Sequence, residues 1–489
     1  MAGGKGHTMP STALLTDLYQ LTMACGYWKH RRADREAAFH LSFRRPPFRG
    51  GFAIAAGLED VLTYLETFRV GPDDVEYLAT LRGGGDRPLF EPGFLEALGS
   101  LRLNCDVDAV PEGTVVYGQE PLLRVRGSIL EGQLLETALL NQINFQTLVA
   151  TKAARICLMA GADPVLEFGL RRAQGPDGAL SASRAAYIGG CAATSNVLAG
   201  KQFGIPVRGT HAHSWVMSFP SELEAFDAYA DVMPHNCILL VDTYDTLQGV
   251  RHAIEVGRRL RARGGDLAGI RLDSGDLAWL SIEARKLLDA AGFTRTVIVA
   301  SNDLDESLIE SLKHQGAAIG VWGVGTQLVT GGSQSALGGV YKLTALRRAD
   351  GTWERKLKLS EQAVKVSTPG ILQVRRFRSA TECLGDGIYD LELGAPSPFV
   401  IVDPLDATRR KTMPPEATWE DLLVPVFRKG RRVYASPPLA AIRERAAAGL
   451  RQFRTGIKRL ANPHEYPVGL ELGLHHLKTR LMLAARGLE

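Results

Sequence analysis

Gly269-Ile270-Arg271-Leu272-Asp273-Ser274-Gly275-Asp276 decides the fold: a short apolar run ends in a cluster of charges, a hydroxyl and a glycine. Four other stretches repeat that design, each after an apolar run. They are Glu167-Phe168-Gly169-Leu170-Arg171-Arg172, Gly209-Thr210-His211-Ala212-His213-Ser214, Val241-Asp242-Thr243-Tyr244-Asp245 and Gly323-Val324-Gly325-Thr326. A strand ending in polar residues, then a helix, then the same again, is the pattern of barrel enzymes with their active sites at the C-terminal ends of the strands. Strand candidates fall at 165–168, 207–209, 238–241, 269–272, 297–300 and 319–322. Helix candidates between them include 181–203, 246–262 and 307–314. Such alternation implies parallel strands joined by right-handed crossovers. Six units are short of the eight of a regular barrel, so residues 146–345 are expected to form an irregular, incomplete β/α barrel.

Outward from the repeat, the pattern changes. Residues 13–145 read as an N-terminal α/β domain. Helical periodicity runs from Leu14 through Tyr19 and Met23 towards Tyr27, 38–43 alternates like a strand, and Gly50-Gly51 opens a short strand at 52–56. Helices are expected from near Leu58, at 92–100 and over 131–159, with antiparallel strands over 105–125. Beyond the repeat, 346–489 reads as strands with a hairpin turn at Asp350-Gly351, then a helical tail from near Pro438 packed on the body. The first dozen residues, 1–12, are expected to be loose.

Length and composition narrow the class. The 489 residues suffice for two or three domains, and 45% apolar with 22% charged residues is ordinary for a soluble protein. A net charge of +4 suits anionic small molecules and does not by itself argue for nucleic acid, which needs a concentrated basic face, so none is expected. The six cysteines are scattered without a CxxC pair, which points to a reducing cytoplasm instead of a disulfide framework or zinc site. The first residues have no apolar signal-peptide core, and no run reaches the roughly 18 apolar residues of a membrane span. The expectation is a soluble, cytoplasmic protein.

The clusters leave several chemistries open. His211 and His213, two apart on a strand, would share a face. They read as a metal pair, as a nucleophile with a bystander, or as two satisfied surface histidines. Asp242 could orient a nearby histidine, while Asp245 suits a helix cap. Arg271 and Asp273 share a strand face: the guanidinium can clamp an anion or stack on a flat ring, and the carboxylate can hold ribose hydroxyls or Mg²⁺, or the two can form an ion pair. Glu167, Phe168, Arg171 and Arg172 set a carboxylate, a ring and two cations within six residues, and at least one of the arginines is expected to meet an anion. The glycine-rich turns at 323–326 and 331–333 can cradle phosphate with backbone amides. No GxxxxGK[ST] stretch occurs, which excludes a P-loop. Together the clusters describe a pocket for a ligand with phosphates, a sugar and a flat ring.

The order of these motifs (EFGLRR, GTHAHS, VDTYDT, RLDSGD, SNDLDE, GVGT), between Thr16-Asp17-Leu18-Tyr19-Gln20 and Asn462-Pro463-His464-Glu465-Tyr466-Pro467-Val468, resembles the nicotinate phosphoribosyltransferase family over nearly the whole chain. The resemblance implies a type II phosphoribosyltransferase fold and a homodimer with shared active sites. It implies transfer of 5-phosphoribosyl from phosphoribosyl pyrophosphate to nicotinate in NAD biosynthesis. Mg²⁺ would serve as cofactor and ATP as co-substrate, with a phosphate carried on His213 and His211 the less demanding position. By the same resemblance Tyr19 would reach nicotinate from the partner subunit, Phe168 and Arg271 would flank the pyridine, and Thr210 would lie beside it. Arg171, Asp273, Gly325 and Thr326 would serve the phosphoribosyl group and phosphates, Asp242 would orient His213, and Lys358 and Lys365 would lie in a basic loop. Leu372 stands where that family often has a base. The nicotinamide-using sister enzyme carries an acid where this chain has Thr194-Ser195-Asn196, and an acid would repel a carboxylate substrate. The alternatives are a phosphoribosyltransferase for nicotinamide or quinolinate, a metal-dependent barrel hydrolase using His211, His213 and Asp273, and a non-catalytic nucleotide-binding scaffold.

Overall fold

The computed structural model describes residues 12–488, so the start expected to be loose lies outside the described residues apart from Thr12. After the helix Leu18–Lys29 come β1 (Glu36–Phe43), β2 (Ala53–Ile54), β3 (Asp106–Ala109), β4 (Val115–Val116) and β5 (Pro121–Ser128), then a helix of 25 residues, Glu136–Ala160. β5 pairs antiparallel with both β1 and β3, as the turn-rich stretch 105–125 predicts, and β2 pairs with β4.

The repeat follows as β6 (Val165–Glu167), β7 (Ala193–Thr194), β8 (Cys237–Leu240), β9 (Leu267–Leu272), β10 (Val297–Ala300) and β11 (Val321–Val324). These form one parallel sheet in the order β7-β6-β11-β10-β9-β8, a half-barrel open at both ends of that order. Runs such as CILL and VIVA are apolar at nearly every position because helices cover the sheet. The helices Thr246–Ala262, Leu277–Ala290 and Glu306–His314 start where an aspartate caps them. Asp245 accepts from the Gln248 N–H at 2.7 Å, Asp276 from Trp279 at 3.1 Å and Asp305 from Leu308 at 2.8 Å. In VDTYD and RLDSGD the second aspartate is thus spent on the helix, and the first is left for the strand end.

Two expectations for the repeat are corrected. The helix expected over 181–203 is broken into Gly175–Ile188 and Val197–Phe203, with β7 between them. A side chain at Gly189 would come within 2.2 Å of the Ala150 carbonyl, so the first helix ends where it crosses the long helix, and Gly190 turns the chain with φ 121°. β7 then takes the edge beside β6, and the strand expected at 207–209 is reduced to one bridge, Thr194 to Val207.

The C-terminal region returns to what was built first. β12 (Gly339–Arg347), β13 (Trp353–Arg355), β14 (Leu372–Arg378), β15 (Cys383–Asp390), β16 (Val400–Val402), β17 (Arg410–Thr412), β18 (Thr418–Asp421), β19 (Val424–Arg428), β20 (Arg431–Arg432) and β21 (Val468–Glu471) complete two sheets. One runs β13-β12-β1-β5-β3-β19-β20, the other β17-β16-β21-β15-β14-β18. The expected tail becomes two helices, Leu439–Arg451 and Leu472–Ala484, with β21 between them. No helix of the described residues is long and apolar enough to cross a membrane.

The helix Glu136–Ala160 is buried along most of its length and joins the half-barrel to the N-terminal sheet. Lys152 and Arg155 on it are buried, and both meet Glu306, at 2.6 and 2.9 Å. Glu306 opens the helix after β10, so one carboxylate satisfies two buried cations. Removing it would strand them. Glu306→Ala is expected to lower the unfolding free energy by about 3–5 kcal/mol, read as a fall in the urea midpoint, and an unchanged midpoint would refute the pairing.

Candidate active site

The polar ends of β6, β8, β9, β10 and β11 lie along one rim of the half-barrel. At the end of β6, Glu167 is 1% exposed and fully engaged. One oxygen accepts from the Gly169 N–H, and the other from Ser183 Oγ at 2.9 Å and Thr194 Oγ1 at 2.5 Å. Asn196 joins the network, donating its N–H to Thr194 Oγ1 and its side-chain Nδ2–H to Ser183 Oγ. The Glu167 carboxylate is therefore a structural knot, and the residues after it carry the chemistry. Phe168 donates its N–H to the Val324 carbonyl at 2.8 Å and lays its ring against Gly323. Arg171 and Arg172, in the turn Leu170–Arg172, are exposed and have no carboxylate partner among the described residues.

Arg271, on β9, directs Nη1 to Thr210 Oγ1, while its Nε is buried without a partner. Burial pushes its pKa below the usual guanidinium value. The nearby Arg171 charge adds to that, and Asp273 and Asp242 oppose it. Arg271 thus holds a desolvated positive charge beside a second guanidinium, with donors left over for an anion.

The expected same-face pairing of His211 and His213 is corrected. His213 opens the helix His213–Met217, so the two imidazoles diverge. His211 is buried, its Nε2 accepts from the Leu240 N–H at 3.1 Å, and its ring packs on Tyr229. That contact requires an unprotonated Nε2 and leaves the proton on Nδ1, facing the Ala212 carbonyl at 3.3 Å. Burial lowers its pKa to about 4, so His211 is a neutral packing histidine, not half of a metal pair. His213 is half-exposed at the rim, with Nδ1 at 3.2 Å from Thr243 Oγ1 and Nε2 at 3.8 Å from Asp273 Oδ2.

Asp242 does not meet His213 directly. Its Oδ2 accepts from the Asp273 N–H at 2.9 Å and from Ser274 Oγ at 2.6 Å, and Oδ1 is buried without a partner. Asp273 in turn accepts from Ser301 Oγ and faces His213. Asp242 therefore shapes the loop that presents Asp273. Thr243, Ser274 and Ser301 bond these candidate residues and were not singled out by the sequence reading. The signal was a hydroxyl within three residues of a strand end, shared by all three clusters. The loop after Ser301 also carries Asn302 and Asp303 at φ 97° and 34°, the left-handed conformation that Asn and Asp tolerate best. Gly325 and Thr326 start a single turn, Thr326–Val329, after β11. Tyr19 stands apart on the helix Leu18–Lys29, exposed, with its hydroxyl beside Glu136 and its acidity lowered in strength by burial and that carboxylate.

A protein-held metal finds no cage here. Among the described residues no three His, Cys, Asp or Glu groups converge as a metal site. Both oxygens of Asp242 are bonded or buried, so Asp273 is the carboxylate of this pair that remains open at the rim.

Comparison with known proteins fits this geometry. Family models for the nicotinate phosphoribosyltransferase N-terminal domain, the family proper and the C-terminal domain match residues 14–144, 164–354 and 374–478. The nicotinate phosphoribosyltransferase of Bacillus subtilis (strain 168) is 42% identical over 484 residues, covering 96% of this chain and 97% of the relative. The Homo sapiens enzyme of that name is 37% identical over 530 residues, covering 96% of each. The crystal structure of human nicotinic acid phosphoribosyltransferase superposes with a TM-score of 0.83 at 35% identity, over 96% of this chain and 100% of that one. A nicotinate-nucleotide pyrophosphorylase from Pyrococcus furiosus shares the fold, with a TM-score of 0.68 at 21% identity over 92% of this chain and 99% of that one. Fold and rim together define a half-barrel phosphoribosyltransferase. The chain belongs to the nicotinate phosphoribosyltransferase family.

His211 has a consequence for stability. Its folded pKa of about 4 lies below the ordinary 6.5, so the unfolded chain takes up a proton first as pH falls. Its contribution is present above pH 6.5 and lost towards pH 4, on the order of 3 kcal/mol. His211→Gln is expected to flatten that portion of the stability profile, measured by urea unfolding from pH 7 to 4. An unaltered slope would contradict the neutral assignment.

Proposed function

We propose that the protein joins nicotinate to the 5-phosphoribosyl group of phosphoribosyl pyrophosphate, releasing nicotinate mononucleotide and pyrophosphate in NAD biosynthesis, with ATP as co-substrate and a phosphate carried on His213. The observation that carries this reading is Arg271: a buried guanidinium, pinned by Thr210 and crowded by Arg171, with an unsatisfied Nε. A flat ring bearing a carboxylate, stacked between Phe168 and Arg271, supplies the negative charge this site lacks. Nicotinamide, neutral, would leave it uncompensated.

In this mechanism the sandwich aligns the pyridine nitrogen with the anomeric carbon. Pyrophosphate leaves as positive charge builds on the sugar. Arg171, with the amides at Gly325 and Thr326, neutralises the departing phosphates. Asp273, held by Asp242 and Ser301, faces the ribose and His213. Transfer of the γ-phosphoryl of ATP to a ring nitrogen of His213 releases ADP and places added negative charge beside Asp273, which offers a physical coupling between ATP hydrolysis and product formation. Mg²⁺ would come bound to the diphosphate and lend charge to the leaving group. Tyr19 is read as reaching the ring from a second copy, since it stands exposed on the helix Leu18–Lys29, beside Glu136. Six free thiols suit a reducing cytoplasm.

Purified protein given phosphoribosyl pyrophosphate, Mg²⁺ and either base, with and without ATP, is expected to form nicotinate mononucleotide, faster with ATP and with phosphate on His213. Preference for nicotinamide would move the assignment to the sister activity. Arg271→Lys, which loses the planar fork, is expected to lower kcat/KM for nicotinate by about 10²–10³.

Selectivity and assembly each have a test. Thr194 and Asn196 are tied into the Glu167 network, whereas the Ser195 side chain is half-open. Ser195→Asp is expected to reduce nicotinate turnover and raise that of nicotinamide, and equal losses for both would refute the role. Co-refolding inactive Tyr19→Ala and Arg271→Ala proteins is expected to restore about a quarter of full activity, because a mixed dimer regains one intact shared site. No recovery would rule out sharing.

A further inference from the structure

Two of the six thiols are neighbours in space. Cys157 lies on the helix Glu136–Ala160, and Cys191 just before β7, where the helix Gly175–Ile188 has ended. The path of the chain brings them together. A side chain at Gly189 would come within 2.2 Å of the Ala150 carbonyl and 2.5 Å of the Ala153 methyl, and one at Gly190 within 3.2 Å of Cys157 Sγ. The chain thus runs along the long helix and reaches Cys157 one turn after Ala153. Glycine at both positions permits the approach, since a larger residue would push the backbones and the thiols apart. The Cys157 thiol then meets that of Cys191. This contact, ahead of burial, is the first cause that pushes the Cys191 pKa well above the usual thiol value.

The two thiols differ in access. Cys157 is half-buried, whereas Cys191 is 1% exposed and keeps its proton. Beside them lies Arg443, from the helix Leu439–Arg451. It donates Nη2 to the Gly190 carbonyl at 2.8 Å, stands over the Tyr187 ring at 5.2 Å and keeps a buried Nε without a partner. Its charge opposes the rise at Cys191. A guanidinium next to a thiol favours the thiolate, the form that reacts with another sulfur.

We propose that Cys157 and Cys191 are a reversible redox pair, in which a peroxide oxidises Cys157 and Cys191 then closes a disulfide that ties the long helix to β7. In the first step the Cys157 sulfur attacks one peroxide oxygen and the O–O bond breaks, leaving a sulfenic acid on Cys157 and releasing water. In the second the Cys191 sulfur, giving up its proton beside Arg443, attacks the Cys157 sulfur. The S–O bond breaks, and the departing hydroxide takes up that proton as a second water. Two thiols and one hydrogen peroxide thus become one disulfide and two waters. Only Cys157 has to meet the oxidant, so the burial of Cys191 is no obstacle. Exchange with a dithiol reopens the bridge. In a reducing compartment such a pair rests open and closes under oxidative load.

The bridge reaches the frame of the site. Directly after Cys191, the Ala192 N–H donates to the Val165 carbonyl at 2.8 Å, and Thr194 Oγ1 donates to Glu167. Oxidation would therefore fasten to the long helix the strand whose hydroxyl holds the Glu167 carboxylate.

The test is treatment of the full-length protein with hydrogen peroxide, then alkylation of the remaining thiols, peptide mass analysis and thermal melting, each with and without dithiothreitol. No substrate is involved, so the outcome does not depend on the reaction assigned above. A cross-linked peptide pair joining Cys157 to Cys191 is expected, lost on reduction. Because the bridge restricts the unfolded chain, the melting temperature is expected to rise with oxidation and to return with dithiothreitol. Cys157→Ser is expected to show neither the cross-link nor the rise. In Cys191→Ala the oxidation is expected to stop at a sulfenic acid on Cys157, captured by dimedone. Should Cys191→Ala fail to fold, Cys157→Ser decides. A bridge from Cys157 to any other cysteine, or over-oxidation of Cys157 to the sulfinic acid with Cys191 still alkylatable, would overturn the proposal, as would a rise in melting temperature that persists in Cys157→Ser.

Discussion

The Glu167 carboxylate holds more of this molecule in place than its single position suggests. A buried carboxylate needs several donors to remain in a low-dielectric interior. Here the donors come from the loop that follows β6, from the helix Gly175–Ile188 and from β7. One group therefore fixes three segments relative to each other. Phe168 and Arg171 sit on the first and Ser195 follows the last, so the ring face, a cation and the neutral Ser195 inherit a shared frame. In the layer beneath, Glu306 has a comparable role, joining the helix Glu136–Ala160 to the start of the helix after β10. The rim can carry uncompensated charge because the carboxylates behind it are already committed.

In the proposed function, that uncompensated charge is the physical basis for discriminating a pyridine carboxylate from its amide. Arg271 has lost much of its water, receives one hydroxyl oxygen and faces another guanidinium. An anion entering there gains what water no longer provides. An acidic residue on β7 would supply that charge internally and remove the advantage, so the absence of acids in Thr194-Ser195-Asn196 and the unsatisfied Nε of Arg271 express one design.

The features of this arrangement set by local chemistry were legible in the sequence. The aspartate pair of VDTYD divides between rim and helix cap as expected, with Asp245 the cap, and the helix over 246–262 has the expected bounds. Features set by distant contacts were hidden. β7 is two residues long and exists because its neighbour β6 pairs with it, while the 207–209 run, which reads more like a strand, has one bridge. His211 and His213 were placed on one face by a strand periodicity that does not form there, since only Val207 bridges and a helix begins at His213. Asp242 was legible as a carboxylate at a strand end, but its contact with Asp273 depends on the lateral pairing of β8 and β9, which no local pattern encodes.

The seven-stranded sheet has a bearing on how the chain is made. β1, β5 and β3 emerge early and can pair at once, yet their outer neighbours, β12 and β19, are the products of much later translation. Arg428 bonds the Val107 carbonyl across 321 residues of sequence. While a ribosome works through the half-barrel, the nascent three-stranded sheet carries two open edges, the feature most prone to wrong partners. This protein's vulnerability to misassembly is thus concentrated in the interval before its last third is synthesised, and a chaperone that shields β1 and β3 during that interval would protect the fold more than one acting on the finished chain.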